Sequence, residues 1–199
     1  MTIEERLEKL EIELARVMDG RANIVTANAF ILVDKSGKCR AALSMVVDEP
    51  GLTLLDENGK PRAALAVFKD GPTLVLTDEN DTTRVKLGAL KNGPSLGLGD
   101  ENGKLRAALG VTKDGSALGL RDENGKLRAA LAVTKDGPTL ALTDENDKPR
   151  AALAAFKEGP ALGLNDENDK LRVKLCVHED GPALGLFDEN EKLIWMAPR

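Results

Sequence analysis

The sequence predicts an all-β fold: tandem two-strand units forming a trimeric triangular β-prism, preceded by a short coiled-coil helix. Three observations carry this reading. A 22-residue unit recurs without insertion, its apolar residues alternate with period two, and the same positions of every unit hold leucine. Residues 1–19 are assigned to the helix, 20–33 to entry strands, 34–187 to seven repeats and 188–199 to a capping partial repeat.

The helix comes first. Ile3, Leu7, Leu10, Leu14 and Val17 are spaced alternately by four and three, the seam of a heptad. Thr2 and Glu5 have the capping-box pattern, and Asp19-Gly20 supplies a stop. Arg6 and Glu11 flank the seam, where they could pair between chains. So short a coiled coil is marginal alone but suffices to register chains held together elsewhere. The alternative is an amphipathic helix folded onto its own sheet. Ala22 to Val33 then reads as a pair of entry strands leading to the first repeat.

The repeat starts at Asp34, and Asp56, Asp78, Asp100, Asp122, Asp144, Asp166 and Asp188 follow at intervals of 22 residues. Spacing kept this strictly places each unit at an equivalent step along one axis. In the unit from Asp56 to Thr77, Ala63, Leu65 and Val67 fall on one side of a first strand, with Ala64 and Ala66 on the other. Leu74 and Leu76 share a side of the second strand, with Val75 opposite. Turn chemistry flanks both, Asn58-Gly59 at one end and Asp70-Gly71-Pro72 at the other. Pro61 and Pro149 stand at strand entrances, where a missing N–H is tolerated.

Alignment of the units identifies the face that must be covered. The middle of the first strand is leucine in all seven, from Leu43 to Leu175, and the second strand always carries a pair, from Leu52 and Leu54 to Leu184 and Leu186. The other face holds Gly, Ala, Ser, Thr, Val or Lys. Burying one leucine contributes roughly 1.5–3 kcal/mol, so this wall requires a partner surface. Three sheets with leucine faces inward close a prism without leaving a large apolar face in water. The rival is a monomeric two-sided β-solenoid, which would stack the Asp-Glu turns at roughly 4.8 Å; a meander doubles that separation and so relieves the repulsion. About fifteen to sixteen strands would make a rod on the order of 75 Å long. At its end, Ile194, Trp195 and Met196 replace the usual Arg-Ala-Ala or Arg-Val-Lys, and Trp195 reads as a plug closing the array.

Composition narrows the function. Aromatic residues are 3% of the chain, and the formal net charge of -5 opposes nucleic-acid binding, which needs a basic face. One His and two Cys leave little for nucleophilic or metal-assisted catalysis, so the chain is read as not an enzyme. Cys39 and Cys176 imply no disulfide framework and read as free, core-type residues. No secretory leader and no membrane-length apolar run is visible, which gives the expectation of a soluble, cytoplasmic protein without membrane insertion.

The DENGK and DENDK turns carry two or three oxygen donors and invite a calcium reading, but calcium takes six to eight oxygens, so local backbone bonding is the preferred role. Asp81, Asp147 and Asp169 replace the turn glycine in three units. Arg40, Arg62, Arg84, Arg106, Arg128, Arg150 and Arg172 each follow the unit's Asp by six residues, a row that could face a polyanion or form an ion-pair ladder; the ladder is preferred. His178 and Cys176 share a strand face without a third group, and no catalytic, cofactor or metal site is assigned. The expected function is therefore a structural, rod-like homotrimeric spacer or interaction scaffold. The alternative is a repetitive binding surface for a polyanion or glycan, or one that depends on calcium.

The entry NIVTANAFILVDKSGKCRAAL, the tandem DENGKLRAAL and DGPTLALTDEN segments and the leading MTIEERLEKLE helix resemble a family of bacterial uncharacterised repeat proteins. Its plan is an N-terminal coiled coil followed by 22-residue "DxxGKxRAxL…GPxLxL" β-repeats. Relatives carry a membrane segment between helix and repeats, which is not found after Val17 here. The resemblance implies no activity. In architecture alone the chain is also similar to the trimeric shafts of phage fibres.

Overall fold

The computed structural model describes residues 2–18, 27–46 and 48–198. A helix, α1 (Ile3–Met18), precedes one antiparallel sheet of sixteen strands. The first strands are β1 (Ala29–Val33), β2 (Cys39–Val46), β3 (Glu49–Leu55), β4 (Pro61–Phe68), β5 (Gly71–Thr77) and β6 (Thr83–Leu90). The middle of the sheet is β7 (Gly93–Gly99), β8 (Leu105–Thr112), β9 (Gly115–Arg121), β10 (Leu127–Thr134) and β11 (Gly137–Thr143). It ends with β12 (Pro149–Phe156), β13 (Gly159–Asn165), β14 (Leu171–His178), β15 (Gly181–Phe187) and β16 (Leu193–Ala197).

Each strand pairs only with its neighbours in sequence, so the sheet is an open meander. A solenoid would stack parallel strands from successive coils. The antiparallel pairing throughout overturns that alternative. The reason lies in the connections: both are short turns, and short turns join only antiparallel strands. Of the expected entry strands, β1 lies among the described residues; residues 19–26, which include the rest of that segment and the Asp19-Gly20 stop, lie outside them.

The two edges of the sheet are built differently. At the Asp edge, Asp56 Oδ1 accepts hydrogen bonds from the N–H groups of Asn58 (2.8 Å) and Lys60 (3.0 Å), while the Gly59 N–H donates to the Asp56 carbonyl. The fourth residue of each such turn is left-handed, as Gly59 (φ 81°), Asp81 (φ 64°) and Glu191 (φ 61°) show. Glycine adopts this region without penalty and aspartate tolerates it, which explains the exchange between units. The pairing slips here: Leu54 faces Ala63 but Leu55 faces Pro61, leaving Arg62 as a bulge residue.

At the opposite edge the turn is tighter than the sequence implied. Phe68 pairs with Gly71, so only Lys69 and Asp70 form the loop, and Gly71 and Pro72 belong to β5. Gly71 (φ +127°) occupies a conformation that side chains avoid, and a Cβ there would lie 2.2 Å from the Ala89 carbonyl oxygen of the next hairpin. Gly93, Gly115, Gly137 and Gly159 meet the same constraint against the following hairpin.

The register confirms the two faces. Leu65 sits opposite Leu74, Ala63 opposite Leu76 and Val67 opposite Pro72, and this arrangement recurs along the sheet. Among the described residues, nothing covers either face to form a core. Among the described residues Ala154 and Cys176 are the buried apolar side chains, and none is fully buried. The capping box of α1 forms as expected, with the Thr2 N–H donating to Glu5 (2.7 Å) and the Glu5 N–H to Thr2 Oγ1 (3.2 Å).

Candidate functional surfaces

The leucine face is the dominant surface. Register places Phe30, Leu32, Leu43, Leu65, Leu87 and their equivalents on it, through to Trp195 opposite Leu186. None of the side chains that the strand register places on this face is charged. Its leucines remain about half exposed, Leu65 at 48% and Leu153 at 50%. The seam of α1 is also open, with Ile3, Leu7, Leu10 and Leu14 all exposed. Substantial contact between elements is confined to sequential strands.

The arginine row forms a ladder of ion pairs, each closing its own turn. Arg62 meets Asp56 at 2.5 Å, Arg84 meets Asp78 at 3.1 Å, Arg106 meets Asp100 at 3.4 Å and Arg150 meets Asp144 at 2.6 Å. Arg40, Arg128 and Arg172 pair with Asp34, Asp122 and Asp166 in the same way. The bulge is what aims them. It also lets Nε of Arg40, Arg84 and Arg106 donate to the last carbonyl of the same unit's second strand, Leu55, Gly99 and Arg121. Lysines extend the ladder: Lys60 reaches Asp81 at 2.7 Å, and Lys104 reaches the Glu123 carbonyl at 3.1 Å.

These contacts hold the repeat aspartates below the ordinary carboxylate range. Asp34 falls to about 2, chiefly because the Ser36 hydroxyl donates to it, with the N–H groups of Ser36 and Lys38 adding to the effect. For Asp56, Asp78, Asp166 and Asp188 the backbone N–H four residues on is the largest cause. At Asp100, Asp122 and Asp144 desolvation pushes upward, but the N–H donors and the arginine outweigh it. One carboxylate oxygen thus serves two N–H groups and the other a guanidinium. The turns are arranged as closed backbone staples, and no cluster of three or more potential metal-binding side chains occurs among the described residues.

The other face contains a feature that the sequence reading passed over. Leu105, Leu127, Leu171 and Leu193 fold over it, their Cδ1 atoms 3.1, 3.0, 3.4 and 3.2 Å from where a Cβ on Gly97, Gly119, Gly163 and Gly185 would stand. Where the later position is Pro61, Thr83 or Pro149, the earlier one is Thr53, Val75 or Ala141. Glycine therefore appears wherever leucine follows eight residues later. The signal was present as covariation between repeats, but its meaning depends on the bulge that turns the leucine onto this face.

The remaining candidates stay apart. Cys176 is buried between Ala161 and Ala183, whereas His178 stands at a hairpin end opposite Gly181. Cys39 and Cys176 are free thiols on β2 and β14. No described helix is long and apolar enough to cross a membrane. No family model matches the chain and none of the curated proteins matches it in sequence, so its repeat architecture rests on the residues and their strand pairing.

Proposed function

We propose that the chain is a structural rod without catalytic activity: three copies pack their leucine faces inward as a triangular prism, registered by α1, and set the distance between whatever is attached along or beyond it. The observation that carries this reading is the leucine face, which spans the whole sheet and which nothing among the described residues covers. The surface area supports the same conclusion. The chain exposes 14716 Å², whereas a compact monomer of this mass would expose about 9,100 Å². An excess on the order of 5,600 Å² per chain is in the range of obligate assemblies.

Two arguments favour three copies. Two sheets face to face leave the leucines along their margins wet, whereas three close around an axis. In α1, leucine occupies the a positions (Leu7 and Leu14), and Ile3 and Leu10 the d positions, a pattern without the β-branched a residues that favour two-stranded coils. The basic rows along the Asp edge are engaged in the ladder, which favours a structural role for them over polyanion binding.

Light scattering on a sizing column, with a sedimentation coefficient for shape, tests the proposal. A mass of about 64 kDa, three times the 21.3 kDa chain, with an elongated profile is the expected result. A mass of one chain would overturn it.

A further inference from the structure

The two outermost strands among the described residues, β1 and β16, are complementary to each other. We infer that they form a head-to-tail interface, in which β1 of one copy pairs with β16 of another and the sheet continues from chain to chain.

The phase of the repeat supports this. By its 22-residue spacing β1 is a second strand: Phe30 and Leu32 stand where Leu52 and Leu54 stand one unit later, just before the Asp turn. By the same measure β16 is a first strand, with Trp195 and Ala197 at the positions of Ala63 and Leu65. The described meander therefore runs from a second strand to a first, and the strand that the repeat would place beside β16 is the kind that β1 is. Sixteen strands is an even number. A translated copy consequently arrives antiparallel to β16 with its leucine face on the same side.

Register follows from the pairs inside the chain, where Ala63, Ala64 and Leu65 face Leu76, Val75 and Leu74. Across the junction Trp195 then faces Leu32, Met196 faces Ile31 and Ala197 faces Phe30 of the second copy. Both edges are apolar and open: Phe30, Ile31 and Leu32 are 48%, 61% and 66% exposed, and Ile194, Trp195 and Met196 are 63%, 41% and 41% exposed. Neither strand carries the lysine, proline or inward charge that ordinarily blunts a sheet edge.

Charge at the two ends is also matched. The first turn holds Lys35, Lys38 and Arg40 against one carboxylate, Asp34, and the last holds Asp188, Glu189 and Glu191 against one lysine, Lys192. Position two of the turn is glutamate in every unit from Glu57 to Glu189 except the first, where it is Lys35. The junction thus brings Lys35 of one copy beside Glu189 of another, in a row that otherwise repeats like charges. Residues 19–28 between α1 and β1 could span at most about 35 Å, enough for the helices to pack beside a junction rather than in it.

Sedimentation velocity and electron microscopy of the full chain over a wide concentration range test the interface. Rods should lengthen in steps of about 77 Å, sixteen strands at about 4.8 Å each. Lys35→Glu or Glu189→Lys alone should raise the concentration for half elongation about tenfold, and the two together should restore it. Ile31→Lys, at the exposed edge, should stop elongation. A single rod length at all concentrations overturns the interface, as does a double variant that elongates no better than either single one. The lateral mass at limiting dilution is read in the same runs, so loss of elongation and loss of the trimer are separate results.

Discussion

The repeat aspartate does the most structural work of any residue in the unit. It closes the turn with one oxygen and fixes the arginine with the other. Its lowered pKa makes this a pH-dependent contribution. A depressed folded-state pKa means that stability is fully present above the unfolded value, 3.8, and is lost as pH falls through the folded value, about 2 for Asp34. Thermal melts followed by circular dichroism should therefore be level above pH 5 and decline steeply between pH 4 and 2. An acid limb confined to pH 5 and above would contradict the ladder. Glycine roles separate at the same scale. A Cβ on Gly125 meets nothing within 4 Å, and Asp81, Asp147 and Asp169 already occupy that turn position in other units. Gly125→Asp should thus cost no more than about 1 kcal/mol. Gly115→Ala would place its Cβ 2.0 Å from the Val133 carbonyl oxygen, at a φ of +143°, and should cost about 3 kcal/mol. Denaturant midpoints of the two variants provide the comparison.

At the scale of the element, each strand pair is fitted to the next by exchanging volume between Gly and Leu. Gly119→Val forces Leu127 Cδ1 away from a contact already at 3.0 Å. In a chain carrying Leu127→Thr, the combination that Val75 and Thr83 already make, the same valine has room. A double-mutant cycle should return a coupling energy of about 1 kcal/mol favouring the matched pair, and a value near zero would show that the leucine simply moves aside. The two-residue hairpins obey the same logic of close approach, since Gly71, Gly93, Gly115, Gly137 and Gly159 lie against the backbone of the next hairpin. Strand existence and pairing were legible in the sequence because period two and the turn residues act locally. The hairpin boundary at Gly71 was not, because what demands glycine there is a carbonyl from a hairpin eighteen residues away.

Across the whole molecule, the sheet is regular, and among the described residues no side chain is fully buried, so the proposed packing of leucine faces is what would supply a core. Leu109→Lys with Leu131→Lys places two charges per chain in the middle of the leucine face, where their desolvation opposes any packed partner. The expected outcome is dissociation to single chains in light scattering, whereas Lys69→Glu with Lys135→Glu, a charge reversal on the exposed hairpin tips, should leave the mass unchanged. Retention of the full mass by the leucine variants would place the interface elsewhere. The polarity of the two faces was readable in advance, since it needs only the alternation of side chains along a strand.

What the sequence determined by itself is the repeat, the strand pairs, the leucine face and the pairing of each arginine with an acid of its turn ladder. These depend on neighbours a few residues apart, and seven near-copies reinforce every local signal. What only the tertiary structure decided is that the strands form one open antiparallel meander, that the arginine is the bulged residue, and that Leu105 and its equivalents cross to the small-residue face above glycine. The physical reason is shared by all three. A slip of one residue in pairing reverses the face of every side chain beyond it, and pairing is settled between strands.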